Sequence, residues 1–299
     1  MFHLVFPLFS SVAFVFGITL AKQAIGKGAS PWTAVFLGNV WLAIFCSAGP
    51  VIRGDIVPVA AWGTAAIVGG LFVVGQILTY LAFQSGDVSV ATPVLGLKVL
   101  IVALLTSLLS GSPVSGRVWF AAALASVGIG LVQASGGNTE ARNRWLTIGL
   151  ASLAALSLSM FDVQLTMARN GWDVGSLGEY QSSQFLPVVF LSALVISFGL
   201  LPWVDGPKRL RDMNALPWML AGTALMGIQS LSISYGLATY GDAARVNIVY
   251  SLRGLWGVVL AWMLAGWLKT NEGSLPRPVM LMRLSGAIVL VTAVVVALI

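Results

Sequence analysis

Long apolar runs follow one another along almost the whole chain, separated by short polar or Gly/Pro breaks. They do not alternate apolar with polar residues, as the strands of a membrane barrel would. A run of 18 or more apolar residues is typical of a helix whose backbone hydrogen bonds are all internal, because lipid offers no other partners. The pattern predicts ten membrane-spanning helices, at 2–25, 31–50, 58–84, 88–109, 116–135, 145–168, 177–201, 215–239, 243–268 and 279–299.

The scarcity of charge supports the same fold class. Of the 299 residues, 58% are hydrophobic and 9% are charged, and the formal net charge is +6. Soluble domains carry about 25% charged residues, so this composition excludes a soluble domain, a disordered chain and a nucleic-acid partner. The single cysteine, Cys46, leaves no disulfide within one chain and no cysteine-based metal site. We therefore expect an all-α polytopic membrane protein.

An internal repeat relates the two halves of the chain, 1–137 and 143–299. Four residues of the first half have counterparts 155 positions later: Tyr80 and Tyr235, Gly86 and Gly241, Asp87 and Asp242, Lys98 and Arg253. Each half holds five predicted spans. Because five is odd, the second half enters the membrane from the opposite side, and such inverted repeats recur in secondary transporters. We expect two inverted five-helix repeats in one membrane domain.

Two basic residues fall deep inside predicted spans. Lys98 lies 11 residues after Asp87, and Arg253 lies 11 residues after Asp242. At about 1.5 Å per residue this places each Cα roughly 16 Å from the end of its span, too deep to reach the headgroups. A cation at that depth needs a partner, a cavity or a substrate. Lys98 and Arg253 are therefore candidate substrate ligands, the alternative being interhelical ties to backbone carbonyls.

Asp162 is the acid that lies clearly inside a predicted span, seven residues before Arg169. It is a candidate proton carrier or a counter-ion to one of the two cations, since an unpaired buried charge is costly. Asp87 and Asp242 each follow a glycine directly before an apolar run. That position is typical of a helix N-cap, where a carboxylate accepts from free backbone N–H groups.

Polar and aromatic residues deep in the spans could line a cavity, although each could instead tie or pack two helices. These residues are Asn39, Trp41, Gln76, Tyr80, Gln164, Gln184, Gln229, Tyr235, Asn247, Tyr250 and Trp256. Tyr250 and Arg253 are three residues apart and share a helix face. The predicted substrate-binding set is Lys98, Arg253, Tyr80, Tyr235, Gln76, Trp41, Asn39, Tyr250 and Trp256.

Signatures of catalysis are missing from the sequence. The single histidine, His3, is terminal, and there is no H-E-x-x-H motif and no complete phosphate loop. We expect a protein that is not an enzyme and that needs neither a cofactor nor a metal.

These features together resemble the drug/metabolite transporter superfamily. The resemblance rests on ten spans in two inverted halves, the paired Tyr-x5-Gly-Asp segments and the basic residue midway along the fourth and ninth spans. It covers essentially the whole chain. Within the superfamily the chain resembles the EamA-type branch, and there the YddG-type exporters of aromatic and other amino acids.

The resemblance implies a basket-like bundle worked by alternating access around a central cavity. Carried onto this sequence, it implies cavity positions for six residues: Gln76, Tyr80, Lys98, Asp162, Tyr235 and Arg253. Relatives that handle hydrophobic cations use a central carboxylate. Because both repeat-related central residues here are basic, a substrate that bears a carboxylate is favoured.

The sequence thus predicts an exporter of amino acids, aromatic-tolerant and broad in specificity, in the bacterial inner membrane, with a monomer as the expected state. The alternatives are an exporter of other small metabolites or xenobiotics, a channel-like pore and a non-transporting scaffold. An even span count predicts that both termini share one side. Basic residues in the loops favour the outside for that side, whereas many superfamily members have both termini in the cytoplasm.

Overall fold

The computed structural model describes residues 2–53, 60–85, 88–109, 114–133, 144–169, 182–264 and 277–299, and every regular element in those ranges is a helix. Six of the described helices are long and apolar enough to cross a bilayer: Phe2–Gly26, Trp62–Ser85, Arg144–Met167, Gln184–Trp203, Leu216–Tyr240 and Leu281–Leu298. Shorter apolar helices occupy Pro31–Ser47, Pro93–Leu109 and Gly116–Val132. The chain is an all-α membrane protein, as its apolar runs predict.

The described helices are α1 Val5–Gly26, α2 Pro31–Arg53, α3 Ala60–Ser85, α4 Val88–Gly96, α5 Lys98–Leu109, α6 Gly116–Gln133, α7 Arg144–Arg169, α8 Ser182–Ser197, α9 Pro207–Asp212, α10 Leu216–Tyr240, α11 Ala243–Tyr250, α12 Arg253–Leu264 and α13 Arg277–Leu298. Short 3-10 helices lie at Phe2–Leu4 and Phe198–Trp203. Two segments predicted as single spans are therefore broken, because α4 gives way to α5 and α11 gives way to α12. The short helix α9 was not predicted.

Side-chain exposure follows the pattern of a bilayer protein. Large apolar side chains such as Phe9, Ile67, Phe120, Leu153 and Ile288 are exposed on the long helices. Small and polar side chains are buried instead, among them Ser10, Ser11, Ser159, Thr223 and Gln229. This arrangement fits a protein whose outer face meets lipid and whose polar groups bond to one another inside.

Two compact units make up the fold, and each draws on both halves of the sequence. The first comprises residues 1–4, 74–163 and 242–299. In it α6 packs along α13, and α11 packs against α5, α6 and α13. The helices α6 and α13 approach closely at Gly128 and Gly286, since a Cβ on Gly286 would lie 2.8 Å from the Gly128 carbonyl oxygen.

The second unit comprises residues 5–73 and 164–241. In it α10 packs along α1 and α2, and α2 packs against α8. Asp205, whose side chain is 2% exposed, accepts a hydrogen bond from the backbone N–H of Ser30 just before α2 and pairs with Arg209 at 3.0 Å. This carboxylate therefore ties the residue before α2 to the segment between α8 and α9.

Candidate functional site

The break between α4 and α5 lies in the first unit and brings a lysine to the start of a half-helix. Leu97 donates its N–H to the Val94 carbonyl at 3.1 Å, an i to i−3 bond in place of the α-helical i to i−4 bond. Pro93, inside α4, has no N–H to donate. Lys98 is then the first residue of α5.

Hydroxyl groups from neighbouring helices satisfy the backbone around this break. Ser126 on α6 donates to the Gly96 carbonyl at 3.4 Å. The Ser159 hydroxyl on α7 donates to the Ala155 carbonyl at 2.7 Å and makes a second, longer contact of 3.3 Å with the Lys98 carbonyl. Irregular backbone inside a membrane protein is tolerated where the protein supplies such partners. Side chains of the neighbouring helices therefore stabilise the break.

The break between α11 and α12 has the same character. Leu252 donates to the Val249 carbonyl and Gly254 donates to the Ser251 carbonyl, each at 3.1 Å, and both are again i to i−3 bonds. Arg253 is the first residue of α12, 155 positions after Lys98. Each cation lies ten residues after the first helical residue of its segment, Val88 or Ala243, which is about 15 Å along a helix.

The entry to the second broken segment also follows the sequence prediction. Gly241 has a φ of +73° and ends α10, and Asp242 then accepts a hydrogen bond from the Arg245 N–H at 3.2 Å. The N-cap predicted for Asp242 is confirmed. Asp87, its repeat counterpart, lies outside the described residues.

The centre of the candidate site is an ion pair between Lys98 on α5 and Asp162 on α7. The Lys98 Nζ lies 2.7 Å from Asp162 Oδ2, and the two side chains are 15% and 4% exposed. Of the acidic residues that the structure describes, Asp162 alone lies within a membrane-spanning helix. This is the counter-ion arrangement considered from the sequence, and the role of proton carrier stays a prediction.

Helix α11 supplies the third side of the site. The Asn247 Nδ2 donates to the same Asp162 oxygen at 2.8 Å and to the Ala243 carbonyl at 3.0 Å. Tyr250 follows Asn247 by three residues, and the guanidinium of Arg253 lies 4.6 Å from the centre of the Tyr250 ring, a cation–π contact. Helices α5, α7 and α11 therefore meet at the Asp162 carboxylate, and Arg253 at the start of α12 contacts Tyr250 of α11.

The charges of this cluster do not cancel. Lys98 and Arg253 carry one positive charge each, and Asp162 carries one negative charge, so the three groups sum to one positive charge. Two partly buried cations, each at the first residue of a half-helix, favour an anionic group. The cluster can therefore hold a carboxylate by charge-assisted hydrogen bonds.

The remaining predicted site residues divide between the two units. Gln76, Tyr80 and Trp256 belong to the first unit, and each is partly exposed. Asn39, Trp41 and Tyr235 belong to the second unit. Asn39 is fully buried and donates to Ser197 at 2.7 Å, so it ties α2 to α8.

Trp41 and Tyr235 take part in aromatic contacts within the second unit. The Trp41 ring stacks on Phe45 with 5.5 Å between centroids, and the Tyr235 ring lies 5.4 Å from Phe6. Tyr235 is 38% exposed. These contacts give both residues a packing role, which the sequence had left open beside cavity lining.

Two residues of the Asp162 cluster were not in the predicted substrate-binding set. Asn247 was a cavity candidate from its depth alone, and Ser159 was not singled out. Ser159 is fully buried and bonds to the carbonyls of Ala155 and Lys98. A polar residue in an apolar run is the available signal in both cases, and it does not reveal the partner.

Comparison with known proteins supports the fold and leaves the function open. No protein-family model and no curated protein sequence matches the chain. A solved structure described only as "Crystal structure of protein" is similar, with a TM-score of 0.71, 17% sequence identity and coverage of 99% of this chain and 98% of that one. At this identity the likeness shows a shared fold alone.

Proposed function

We propose that the protein is a secondary transporter that exports amino acids, with broad and aromatic-tolerant specificity, across the bacterial inner membrane. In this proposal it is an EamA-type member of the drug/metabolite transporter superfamily. Ten membrane-spanning helices form two inverted five-helix repeats, and transport proceeds by alternating access. Lys98 and Arg253 hold the carboxylate of the substrate.

The observation that carries the proposal is the pair of broken helices. Discontinuous helices at corresponding positions of two halves are a recurrent way to build a transporter site, because half-helix termini can bind charged groups near the midplane. Here each of the two breaks places a cation at the first residue of the second half-helix, and the two cations are 155 positions apart. A scaffold protein has no need of such a pair.

The chemistry of the cluster supports a carboxylate substrate. Its net positive charge disfavours a cationic drug, and the Tyr250 ring under Arg253 adds an aromatic surface. Hydrogen bonds between ionised groups are roughly twice as strong as neutral ones. A substrate that offers a carboxylate therefore gains more at this site than its neutral analogue.

The test is transport by the purified protein in proteoliposomes. Uptake of labelled phenylalanine should saturate and should accelerate when unlabelled phenylalanine is loaded inside, whereas a pore would give a linear flux without acceleration. Phenylalaninamide, which lacks the carboxylate, should compete poorly. A flux that does not saturate, or an amide that competes as well as the amino acid, would contradict the proposal.

Substitutions of Lys98 and Arg253 test whether these two cations are needed for the flux. Lys98→Met and Arg253→Met should each lower phenylalanine transport well beyond any change in expression. The matched control is Lys27→Met in the second unit, because Lys27 donates to the Asn214 carbonyl at an exposed position. Wild-type rates in both cluster variants would show that the basic pair is structural.

A further inference from the structure

We infer that Asp162 binds the α-ammonium group of the substrate, so that the site recognises an amino acid as a zwitterion and rejects a simple carboxylate. This inference rests on the proposed function, which assigns the carboxylate to Lys98 and Arg253. It adds Asp162 as the residue that binds the second charged group of the substrate.

The cation and the anion that a zwitterion needs as partners lie side by side in the site. The ammonium and carboxylate of an α-amino acid are attached to one carbon atom. Asp162 Oδ2 lies 2.7 Å from the Lys98 Nζ. A substrate carboxylate held by Lys98 therefore brings its own ammonium group within reach of Asp162.

The pairing of the individual charges inside the site favours the same substrate. Without substrate, Lys98 and Asp162 satisfy each other, and an uncompensated charge at this depth would be costly. A zwitterion can replace each partner with a group of the same sign, so that no buried charge loses its counter-ion. A simple carboxylate could take the place of Asp162 beside Lys98, but it has no cation to replace Lys98 beside Asp162, so Asp162 would lose its direct partner.

Asn247 keeps the acid in place for this exchange. Its side-chain amide donates to Asp162 Oδ2 and to the Ala243 carbonyl of its own helix. When Lys98 turns to the substrate carboxylate, Asp162 retains this hydrogen bond, which holds its carboxylate at the site. Asn247 is thus a positioning residue for the ammonium contact.

The experiment uses three ligands built on one aromatic side chain. Phenylalanine has both charged groups, phenylalaninamide lacks the carboxylate, and 3-phenyllactate carries a hydroxyl in place of the ammonium. Competition against phenylalanine counterflow in proteoliposomes gives the relative affinity of each ligand. Wild type should prefer phenylalanine to phenyllactate by about tenfold or more, the range of a hydrogen bond between charged groups.

Asp162→Asn should erase the preference for phenylalanine over phenyllactate and keep the preference over the amide. The control is Asp205→Asn, which alters a buried, ion-paired acid of the second unit and should keep both preferences. Asp162→Glu, which keeps the charge but moves it by one methylene group, should weaken phenylalanine more than phenyllactate. This variant keeps the test decisive if Asp162→Asn does not fold.

The outcomes separate the two proposals. If wild type transports phenylalanine in preference to its amide but takes phenyllactate equally well, the ammonium assignment is wrong while the proposed function stands. The assignment is also wrong if Asp162→Asn retains the full preference for phenylalanine over phenyllactate. If the amide competes as well as phenylalanine in wild type, the proposed function itself fails.

Discussion

The Lys98 ammonium and the Asp162 carboxylate lie 2.7 Å apart, although the residues are 64 positions apart in the sequence and each lies within an apolar segment. Both side chains are largely shielded from solvent, so neither charge can be left without compensation at low cost. The pair also joins α5, which begins at a helix break, to α7, which runs unbroken through Asp162. A rearrangement at the break would therefore have to stretch or exchange this ion pair.

We predict strong coupling between Lys98 and Asp162 in a double-mutant cycle. Lys98→Met alone should lower the free energy of unfolding by about 3–5 kcal/mol, because it leaves a buried carboxylate without its cation. The double variant Lys98→Met, Asp162→Asn should be more stable than Lys98→Met, since it removes both charges together. Thermal unfolding of the four proteins in one detergent measures the coupling, and additive effects would show that the pair is not energetically linked.

We also predict that Asn247 and Asn39 differ in what their loss affects. Asn247→Leu removes a hydrogen bond to the Asp162 carboxylate, which should cost about 1.5–3 kcal/mol of stability and raise the KM for amino acids. Asn39→Leu removes a neutral bond to Ser197 and should cost about 1 kcal/mol with KM unchanged. An unchanged KM in Asn247→Leu would remove Asn247 from the substrate site.

The sequence predicts the helical segments and the two cations well because both depend on local properties. Apolar runs of sufficient length must form helices in lipid, and Lys98 and Arg253 stand out as charges at matched depth. The breaks beside them were missed. Pro93 and Gly96 precede the first break, but proline and glycine are common inside unbroken membrane helices, so neither residue marks a break on its own.

Contacts between residues that are distant in sequence were harder to predict than the positions of the helices along the chain. Asn247 lies 85 residues from Asp162, and hydropathy carries no information on which buried polar groups meet. The same applies to Asp205, which lies between helices and reaches back to Ser30. For Asp162 the sequence reduced the partners to two cations, and only the packing of α5 against its neighbours selects Lys98.

A third prediction concerns the close approach of α6 and α13. A Cβ on Gly286 would lie 2.6 Å from the Val132 nitrogen and 2.8 Å from the Gly128 carbonyl oxygen. Because these are backbone atoms, Gly286→Ala should separate the helices and lower stability by about 1–3 kcal/mol. Gly130→Ala on the same α6 is the control, since nothing lies within 4 Å of its Cβ position. Thermal unfolding measures the stability of both variants. Equal stability of Gly286→Ala and Gly130→Ala would contradict the close packing of α6 against α13.

The last prediction separates the ring of Tyr250 from its hydroxyl group in supporting Arg253. Tyr250→Phe keeps the aromatic face that lies 4.6 Å from the guanidinium, so most of the cation–π attraction should remain. Tyr250→Leu removes that face, and an attraction of about 0.5–2 kcal/mol should be lost with it. We expect the KM for phenylalanine to rise in both variants and to rise more in Tyr250→Leu, because Tyr250→Phe loses only the hydrogen bond between the hydroxyl group and Arg253.

The control for this comparison is Phe6→Leu, which removes a ring that contacts Tyr235 in the second unit and should leave the KM unchanged. The measurement is phenylalanine counterflow over a range of concentrations, with the amount of reconstituted protein held equal. If Tyr250→Phe raises the KM as much as Tyr250→Leu does, the hydroxyl group and not the ring supports Arg253. The cation–π contact would then have no part in holding the substrate carboxylate.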